Sequence, residues 1–147
     1  MNPDFSEMLS TLSEEGVEFL LVGAYALAVH GVPRATGDLD VWIRPTSGNA
    51  QRVLQALGRF GAPLHSLTAA DLTTPGTVFQ IGVVPNRVDL LTAIDGVSFE
   101  EAWSRRVVPR VSGLSIPVIG RADLIANKRA TGRTVDLADA ERLEALG

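Results

Sequence analysis

Two aspartates stand at the start of an apolar run in the segment GDLDVWI, residues 37–43. This run limits the fold more than any other feature, because alternate residues of a β-strand point to the same face of the sheet. Asp38 and Asp40 therefore share one face, and Leu39 and Val41 point to the opposite one. Two carboxylates held about 6–7 Å apart on one strand repel each other. The pattern predicts a strand with one buried face and one face that needs a cation.

A third carboxylate lies in another apolar segment, where Asp89 stands between Val88 and Leu90. An unpaired charge in such a strand is costly. If this strand lies beside the first, the three carboxylates can hold one or two Mg²⁺ ions. In-line phosphoryl or nucleotidyl transfer requires that arrangement, in which the metal ions clamp the attacking and leaving oxygens.

The same acids also have a purely structural interpretation. Asp38 is then a loop residue, and Asp40 is a charge on an edge strand. Asp89 would form an ion pair with Arg87 or with Arg34. Because Asp-x-Asp alone is a weak motif, both interpretations stay open on these residues.

Composition narrows the chemistry and the setting. The chain has 147 residues, which predicts a single domain over 1–147, and it contains no cysteine and two histidines. Thiolate zinc sites and cysteine nucleophiles are excluded, so a metal site would use oxygen ligands and favour Mg²⁺ or Mn²⁺. A net charge of −4 argues against binding of long nucleic acid. The apolar stretch at 19–22 is too short to span a bilayer, which predicts a cytoplasmic protein without a membrane partner.

Hydrophobic periodicity predicts the secondary structure. Helices are expected at 2–15, 24–30, 46–60 and 98–106, with a helical turn at 69–72 and two helices within 121–147 that break at Gly132. Strands are expected at 17–23 and 39–43, as an antiparallel pair at 77–84 and 87–93, and as a hairpin at 107–111 and 114–119. This order predicts an α/β (α+β) fold with one mixed β-sheet flanked by helices.

A glycine separates the first strand from the first short helix in LLVGAYALAVHG, residues 20–31. Gly23 permits a tight turn, and free amides at the helix N-terminus can receive an anionic phosphate. A plain strand-to-helix turn would also explain this glycine. Phosphate chemistry is indicated because these free amides, which can bind an anion, occur in the same chain as the three acids.

These blocks together resemble the DNA polymerase beta-like nucleotidyltransferase superfamily in its minimal form. The matching segments are VGA at 22–24, DLDV at 38–41 and RVDLL at 87–91. Residues 124–143, LIANKRATGRTVDLADAERL, look like the carboxy-terminal segment of small nucleotidyltransferase-like proteins and AbiEii-type toxins. The resemblance covers most of the chain and implies a nucleotidyltransferase fold with a carboxy-terminal helical segment at 121–147.

The resemblance implies transfer of a nucleoside monophosphate from a nucleoside triphosphate (NTP) to a hydroxyl acceptor, with Mg²⁺ or Mn²⁺ as cofactor. The acceptor would be a protein, a tRNA end or a small molecule, and a toxin–antitoxin or phage-defence setting is implied. Metal binding and catalysis are assigned to Asp38, Asp40 and Asp89. Nucleotide and phosphate binding is assigned to Gly23, Ala24, Arg34, Thr36, Lys128 and Arg133.

The chain departs from the superfamily at one position. The superfamily usually has Gly-Gly or Gly-Ser where this chain has Gly23-Ala24. Alanine lacks the hydroxyl that would bind a phosphate oxygen, a loss of roughly 1–2 kcal/mol. A second hypothesis is therefore a catalytically weak or inactive protein that acts through a protein partner, as an antitoxin or regulatory subunit. An Asp-x-Asp glycosyltransferase is disfavoured, because only 37 residues precede Asp38.

Several candidates keep two interpretations. Arg34, on a loop that would overhang the acids with Thr36, either binds phosphate or pairs with Asp38 or Asp89. Trp42 either packs in the core or stacks on a base.

The carboxy-terminal segment supplies a basic cluster. Lys128 lies on a helix face with Leu124, so it is expected to point toward the acids, and in the resembled family the equivalent lysine faces the nucleotide. Arg133 and Asp136 form a recurring pair in that family. For Asp136, with Asp139, a helix-to-helix ion pair is the favoured interpretation.

Overall fold

The structure, a computed structural model, describes residues 1–83 and 85–147. Its helices are α1 (Pro3–Glu14), α2 (Gly23–Val29), α3 (Ser47–Phe60), α4 (Phe99–Ser104), α5 (Arg121–Thr131) and α6 (Thr134–Leu146). Its strands are β1 (Phe19–Val22), β2 (Asp38–Ile43), β3 (Val78–Ile81), β4 (Arg87–Leu91), β5 (Arg110–Val111) and β6 (Leu114–Ser115). A 3-10 turn spans Asp71–Thr73.

Four of the strands form one mixed sheet in the order β1-β2-β4-β3. The central pair, β2 and β4, is parallel, and the two outer strands pair antiparallel with it. Because β1 runs antiparallel to β2, the end of β1 at Val22 lies opposite Asp40. The start of α2 is therefore placed beside the acidic end of β2.

Local sequence signals explain the opening helix. The side chain of Asn2 accepts a hydrogen bond from the Asp4 N–H at 2.7 Å, and Pro3 occupies the first turn, where its missing N–H is no cost. The apolar face of α1, which includes Phe5 and Leu9, is buried. Helix α1 contacts α3, which ends at a glycine in the left-handed conformation. The periodicity of the sequence thus located both helices correctly.

Three predictions differ from the structure. The predicted single sheet is accompanied by a separate hairpin of β5 and β6, and the chain beyond this hairpin pairs with β1 at a parallel bridge between Leu21 and Val118. Proline has no N–H to continue a strand ladder, which explains why the hairpin stops short. The predicted helix through Arg106 ends at Ser104. The strand predicted at 77–84 ends at Ile81, and Val84 lies outside the described residues.

The helices pack against the sheet and against each other. Helix α2 contacts β1 and β2, and α5 packs against α6. The apolar side chains between these layers are buried, and Trp42 is the largest of them. Within residues 1–83 and 85–147, no helix combines the length and the apolar character that a membrane crossing requires.

Candidate functional site

Three carboxylates meet on one face of the central strands. Asp40 on β2 lies directly opposite Asp89 on β4, and Asp38 lies opposite Arg87 in the same register. Alternation along each strand places all four side chains on one side of the sheet. The expectation that the strand of Asp89 lies beside that of the other two acids is therefore confirmed. We call these four residues the acidic face.

The turn at Gly23 makes close contact with this face. Gly23 has φ of +69°, in the left-handed region that favours glycine, and a Cβ atom there would overlap the Oδ2 atom of Asp40. Glycine is required here for both reasons. The main chain of the turn and the carboxylate of Asp40 thus form one surface.

Asp40 is largely buried beside the two other carboxylates. Burial raises the pKa of Asp40, and the neighbouring carboxylates of Asp89 and Asp38 raise it further, to about 6. Arg87 and Lys128 act in the opposite direction without cancelling the effect. The acidic face thus holds more negative charge than its surroundings neutralise.

The guanidinium of Arg87 binds two of the three carboxylates, those of Asp38 and Asp89. Its Nη2 atom donates hydrogen bonds to Asp38 Oδ2 at 2.8 Å and to Asp89 Oδ2 at 3.3 Å. Its Nε atom lies 3.0 Å from Asp89 Oδ1, an ion-pair distance whose angle is too poor for a hydrogen bond. The Oδ1 atoms of Asp38 and Asp89 are buried and accept no hydrogen bond from the described residues.

With Arg87 in this position, the acidic face does not fit a divalent cation. Within residues 1–83 and 85–147, no group of three or more acidic or histidine side chains is placed to hold a metal ion. The sequence analysis gave an ion pair between Asp89 and Arg87 as one structural interpretation of the acids, and the structure contains this contact. Binding of Mg²⁺ or Mn²⁺ by Asp38, Asp40 and Asp89 stays a prediction.

A cleft of about 300 Å³ opens beside Asp40 and reaches the carboxy-terminal helices. Gly23, Asp40, Lys128 and Arg133 line it, so four of the predicted site residues share one cavity. The rest of its lining is Val22, Leu91, Ala93, Ile94, Asp95, Asn127 and Thr131. A larger cavity of about 460 Å³ lies beside Pro33 and Leu146, but no carboxylate lines it.

The basic side chains of the cleft belong to an ion-pair network between α5, α6 and the loop after α2. Lys128 donates to Asp136 at 3.1 Å and lies 3.6 Å from Asp139. The Nε atom of Arg133 donates to Asp136 at 2.7 Å, and Arg34 pairs with Asp139 through both ends of its guanidinium. We call these five residues the ion-pair network. The helix-to-helix ion pair favoured for Asp136 and Asp139 is confirmed.

The two aspartates of the network are buried but well satisfied. Burial alone would raise the pKa of Asp136, but hydrogen bonds from one hydroxyl and two cations outweigh this effect and lower it. The hydroxyl is that of Thr131, which donates at 2.6 Å. Lys128 is 12% exposed, so it points inward as expected, although its nearest anions are these aspartates rather than those of the acidic face.

Other candidates lie away from the cleft. Arg34 pairs with Asp139, so the ion pair expected with Asp38 or Asp89 is wrong; these partners could not be chosen without knowing where α6 packs. Thr36 accepts a hydrogen bond from the Asp38 N–H at 3.1 Å. Arg34, Thr36 and Ala24 do not line the cleft, and their roles in phosphate binding stay predictions.

Trp42 is a core residue. It is buried and packs edge-to-face on Phe99, with ring centroids 5.0 Å apart. Stacking on a base is excluded by this burial, which the packing interpretation anticipated.

Sequence reasoning missed three residues of this region and gave Arg87 only as an alternative ion-pair partner of Asp89. Arg87 stands two residues before Asp89, so strand alternation places it on the acidic face, and that signal was present in the sequence. Asp95, Asn127 and Thr131 carried no such signal, because they reach the cleft only through packing of a loop on α5. In that packing the Nδ2 atom of Asn127 donates to the Asp95 carbonyl at 2.9 Å.

Comparison with known proteins supports the fold assignment. No family model matches the chain, and no curated protein sequence does. A candidate nucleotidyltransferase from Thermotoga maritima is similar in structure at 15% identity and a TM-score of 0.57, over 97% of this chain and 87% of that one. The lincosamide antibiotic adenylyltransferase LnuA, with lincomycin bound, is similar at 12% identity and a TM-score of 0.64, over 100% and 98% of the two chains. The chain has the nucleotidyltransferase fold.

Proposed function

We propose that this chain is a nucleotidyltransferase, which transfers a nucleoside monophosphate from an NTP to a hydroxyl group of an acceptor. One observation carries the proposal. The Gly23 turn touches Asp40, which faces Asp89 in register, and this assembly opens into a cleft that Lys128 and Arg133 line. Asp40, a carboxylate for the reacting centre, and two cations for phosphate thus share a cavity. The nucleotidyltransferase fold supports the same function.

The cations of the cleft would bind the triphosphate. Arg133 is 72% exposed, so its guanidinium can contact phosphate oxygens although its Nε atom also bonds Asp136. Lys128 would act as a fixed positive charge behind it. No side chain caps the start of α2, which leaves the N–H groups of Gly23 and Ala24 for a phosphate oxygen. With only seven residues, α2 adds little dipole of its own.

The acids would serve the transfer step. The acceptor oxygen attacks the α-phosphorus, the bond from that phosphorus to the bridging oxygen of the β-phosphate breaks, and pyrophosphate leaves. The hydroxyl proton passes to a carboxylate, for which we assign Asp89 with Asp40 beside it.

A small hydroxylated molecule is the acceptor class that we would test first. LnuA, which acts on lincosamide antibiotics, aligns with the whole of this chain, and this likeness supports an acceptor of similar size. The resemblance of residues 124–143 to AbiEii-type toxins supports testing protein and tRNA acceptors next, in a toxin–antitoxin or phage-defence setting.

Position-specific labelling of the NTP tests the function. The chain is incubated with Mg²⁺ and each of the four NTPs, labelled in turn at the α- and the γ-phosphate, with lincosamides, tRNA and protein fractions as acceptors. We expect label from the α-position to enter an acceptor and label from the γ-position to leave as pyrophosphate. Asp40→Asn and Asp89→Asn should reduce the rate by at least about 100-fold, the usual size of a lost acid–base group.

Asp4→Asn is the matched control, since it makes the same substitution at an exposed position on α1 and should keep the wild-type rate. Transfer of γ-label to the acceptor would mean a kinase instead. Equal rates for wild type and the Asp40 and Asp89 variants would contradict the assignment of the acidic face.

A second candidate function is favoured by Ala24 and Arg87. The first removes a hydroxyl that would bind phosphate, and the second neutralises part of the acidic face from within. We propose as the alternative a catalytically weak or inactive member that acts through a protein partner. It predicts no label transfer to any acceptor, a partner that co-purifies with the chain, and an unchanged biological effect for Asp89→Ala.

A further inference from the structure

Arg87 lies within the acidic face rather than beside it. Within residues 1–83 and 85–147, every hydrogen bond and ion pair of its side chain goes to Asp38 or Asp89, at 2.8–3.3 Å. Within that part of the chain, its side chain makes no bond to a helix. A role limited to holding the fold together is therefore a poor explanation for this residue.

The placement of Arg87 follows from the sheet. It precedes Asp89 by two residues on β4, so the two side chains leave the strand on the same face. The parallel register sets Arg87 directly opposite Asp38. Every rotamer of this side chain therefore starts from the acidic face.

The charges on this face are unequal. The guanidinium of Arg87 contacts two of the three carboxylates, and among the described residues the buried Oδ1 atoms of Asp38 and Asp89 have no hydrogen-bond donor. A divalent cation would need the carboxylates that Arg87 already contacts. Arg87 is 28% exposed, so its guanidinium has a way out toward solvent.

We propose that Arg87 is an internal counter-ion that competes with a divalent cation for Asp38 and Asp89. A divalent cation would reach these carboxylates only with the guanidinium displaced, so the affinity for metal would be reduced by the fraction of molecules in which Arg87 is in place. The inference rests on the proposed function only for the metal-binding role of the acids. Its test uses no nucleotide and no acceptor.

Titration of the nucleotide-free chain with Mn²⁺ tests the competition, with free Mn²⁺ measured by electron paramagnetic resonance. We expect Arg87→Gln to bind Mn²⁺ about tenfold more tightly than wild type, which corresponds to about 1.4 kcal/mol. Arg59→Gln is the matched control, because it removes the same charge from a residue that pairs with Glu14 and Glu15. It should leave the Mn²⁺ affinity within twofold of wild type.

Arg87→Lys covers the case in which the glutamine variant does not fold. Lysine keeps the charge but has one ammonium group in place of a planar fork, so its Mn²⁺ affinity should lie between those of wild type and Arg87→Gln. In the wild-type chain, the NMR signal of the Arg87 Nε–H group should shift as Mg²⁺ fills the site.

Three results would overturn the inference: a Mn²⁺ affinity of Arg87→Gln within twofold of wild type, an Arg87 signal that Mg²⁺ leaves unmoved, or no Mn²⁺ binding by any variant. Failure of the proposed function looks different. The Mn²⁺ affinities of wild type and the Arg87 variants would then follow the expected order, but the chain would transfer no label from any NTP.

Discussion

The acidic face and the ion-pair network both consist of aspartates and basic side chains, but carboxylates outnumber cations in the first and cations outnumber carboxylates in the second. In the network, two buried aspartates are surrounded by three cations and a hydroxyl, and the pKa of Asp136 is lowered. On the acidic face, one guanidinium contacts two of the three carboxylates, and the pKa of the third, Asp40, is raised to about 6. The ion-pair network neutralises its aspartates with cations of the chain itself, whereas the acidic face keeps an excess of negative charge.

We interpret the network as a structural arrangement and the acidic face as the arrangement that serves the proposed function. Buried ions that are matched can join elements that are distant in sequence, as Arg34 and α6 are joined here. Excess charge of one sign costs stability and is kept where a ligand supplies the balance. The comparison predicts that substitutions of aspartate have opposite signs in the two regions.

The largest effect is expected in the network. Asp139→Ala should destabilise the chain by about 3–5 kcal/mol, because it leaves two partly buried cations without their shared anion. The side chain of Asp139 is 1% exposed, so water cannot take its place. Urea unfolding followed by circular dichroism measures the loss.

The control for Asp139→Ala is Glu144→Ala, on the same helix, where an exposed ion pair with Arg129 should be worth less than about 1 kcal/mol. Equal losses for the two variants would mean that the buried network does not hold α6 in place.

The turn beside the acidic face should give the next largest effect. Gly23→Ala places a Cβ atom on the carboxylate of Asp40 in addition to the cost of a left-handed backbone, for a total of about 3 kcal/mol. Gly61→Ala has a similar φ, +86°, with no atom within 4 Å of the added carbon. Its cost should be about 1–2 kcal/mol, the backbone effect alone.

The difference between the two glycine variants, measured by urea unfolding, reports the contact with Asp40. If Gly23→Ala costs no more than Gly61→Ala, the turn does not press on the carboxylate as described.

Asp40→Asn should stabilise the chain, in contrast to the substitution at Asp139. The pKa of Asp40 is about 6 in the folded chain against an ordinary 3.8, so the folded chain holds the proton more tightly. Stability therefore falls as the pH rises from about 4 to about 6 and stays at its lower value above that range. At pH 7.5 the variant should gain about 2 kcal/mol, within a ceiling of about 3 kcal/mol set by the shift.

Urea unfolding of wild type and Asp40→Asn from pH 4 to pH 8 measures this prediction. The gain should shrink toward zero near pH 4, where Asp40 carries a proton in the folded chain. A variant less stable than wild type at pH 7.5 would show that the negative charge of Asp40 is already balanced.

The smallest effect on stability is expected at Arg133, the member of the network that faces the cleft. Arg133→Gln should change the free energy of unfolding by less than about 1 kcal/mol, because the guanidinium is largely exposed and Asp136 keeps its other two partners. The same substitution should weaken NTP binding about tenfold if this cation meets phosphate, as isothermal titration calorimetry can show. Unchanged NTP binding would assign Arg133 to structure alone.

The amino-acid sequence by itself determined the local features. Alternation in GDLDVWI placed Asp38 and Asp40 on one face, and the glycine after an apolar run located the turn before α2. Helix periodicity and capping residues located α1 and α3 to within a residue or two. These features follow from side-chain spacing over a few residues, which the backbone geometry of helices and strands dictates.

Tertiary structure alone decided which charges meet. The pairing of Arg34 with Asp139 depends on how α6 packs, and the position of Arg87 opposite Asp38 depends on the register of two parallel strands. No periodic pattern in the sequence predicts either pairing, because strand register and helix packing are set by how the whole core packs. The sequence therefore showed which residues could form the site, and only the fold established that one of its cations already lies among the acids.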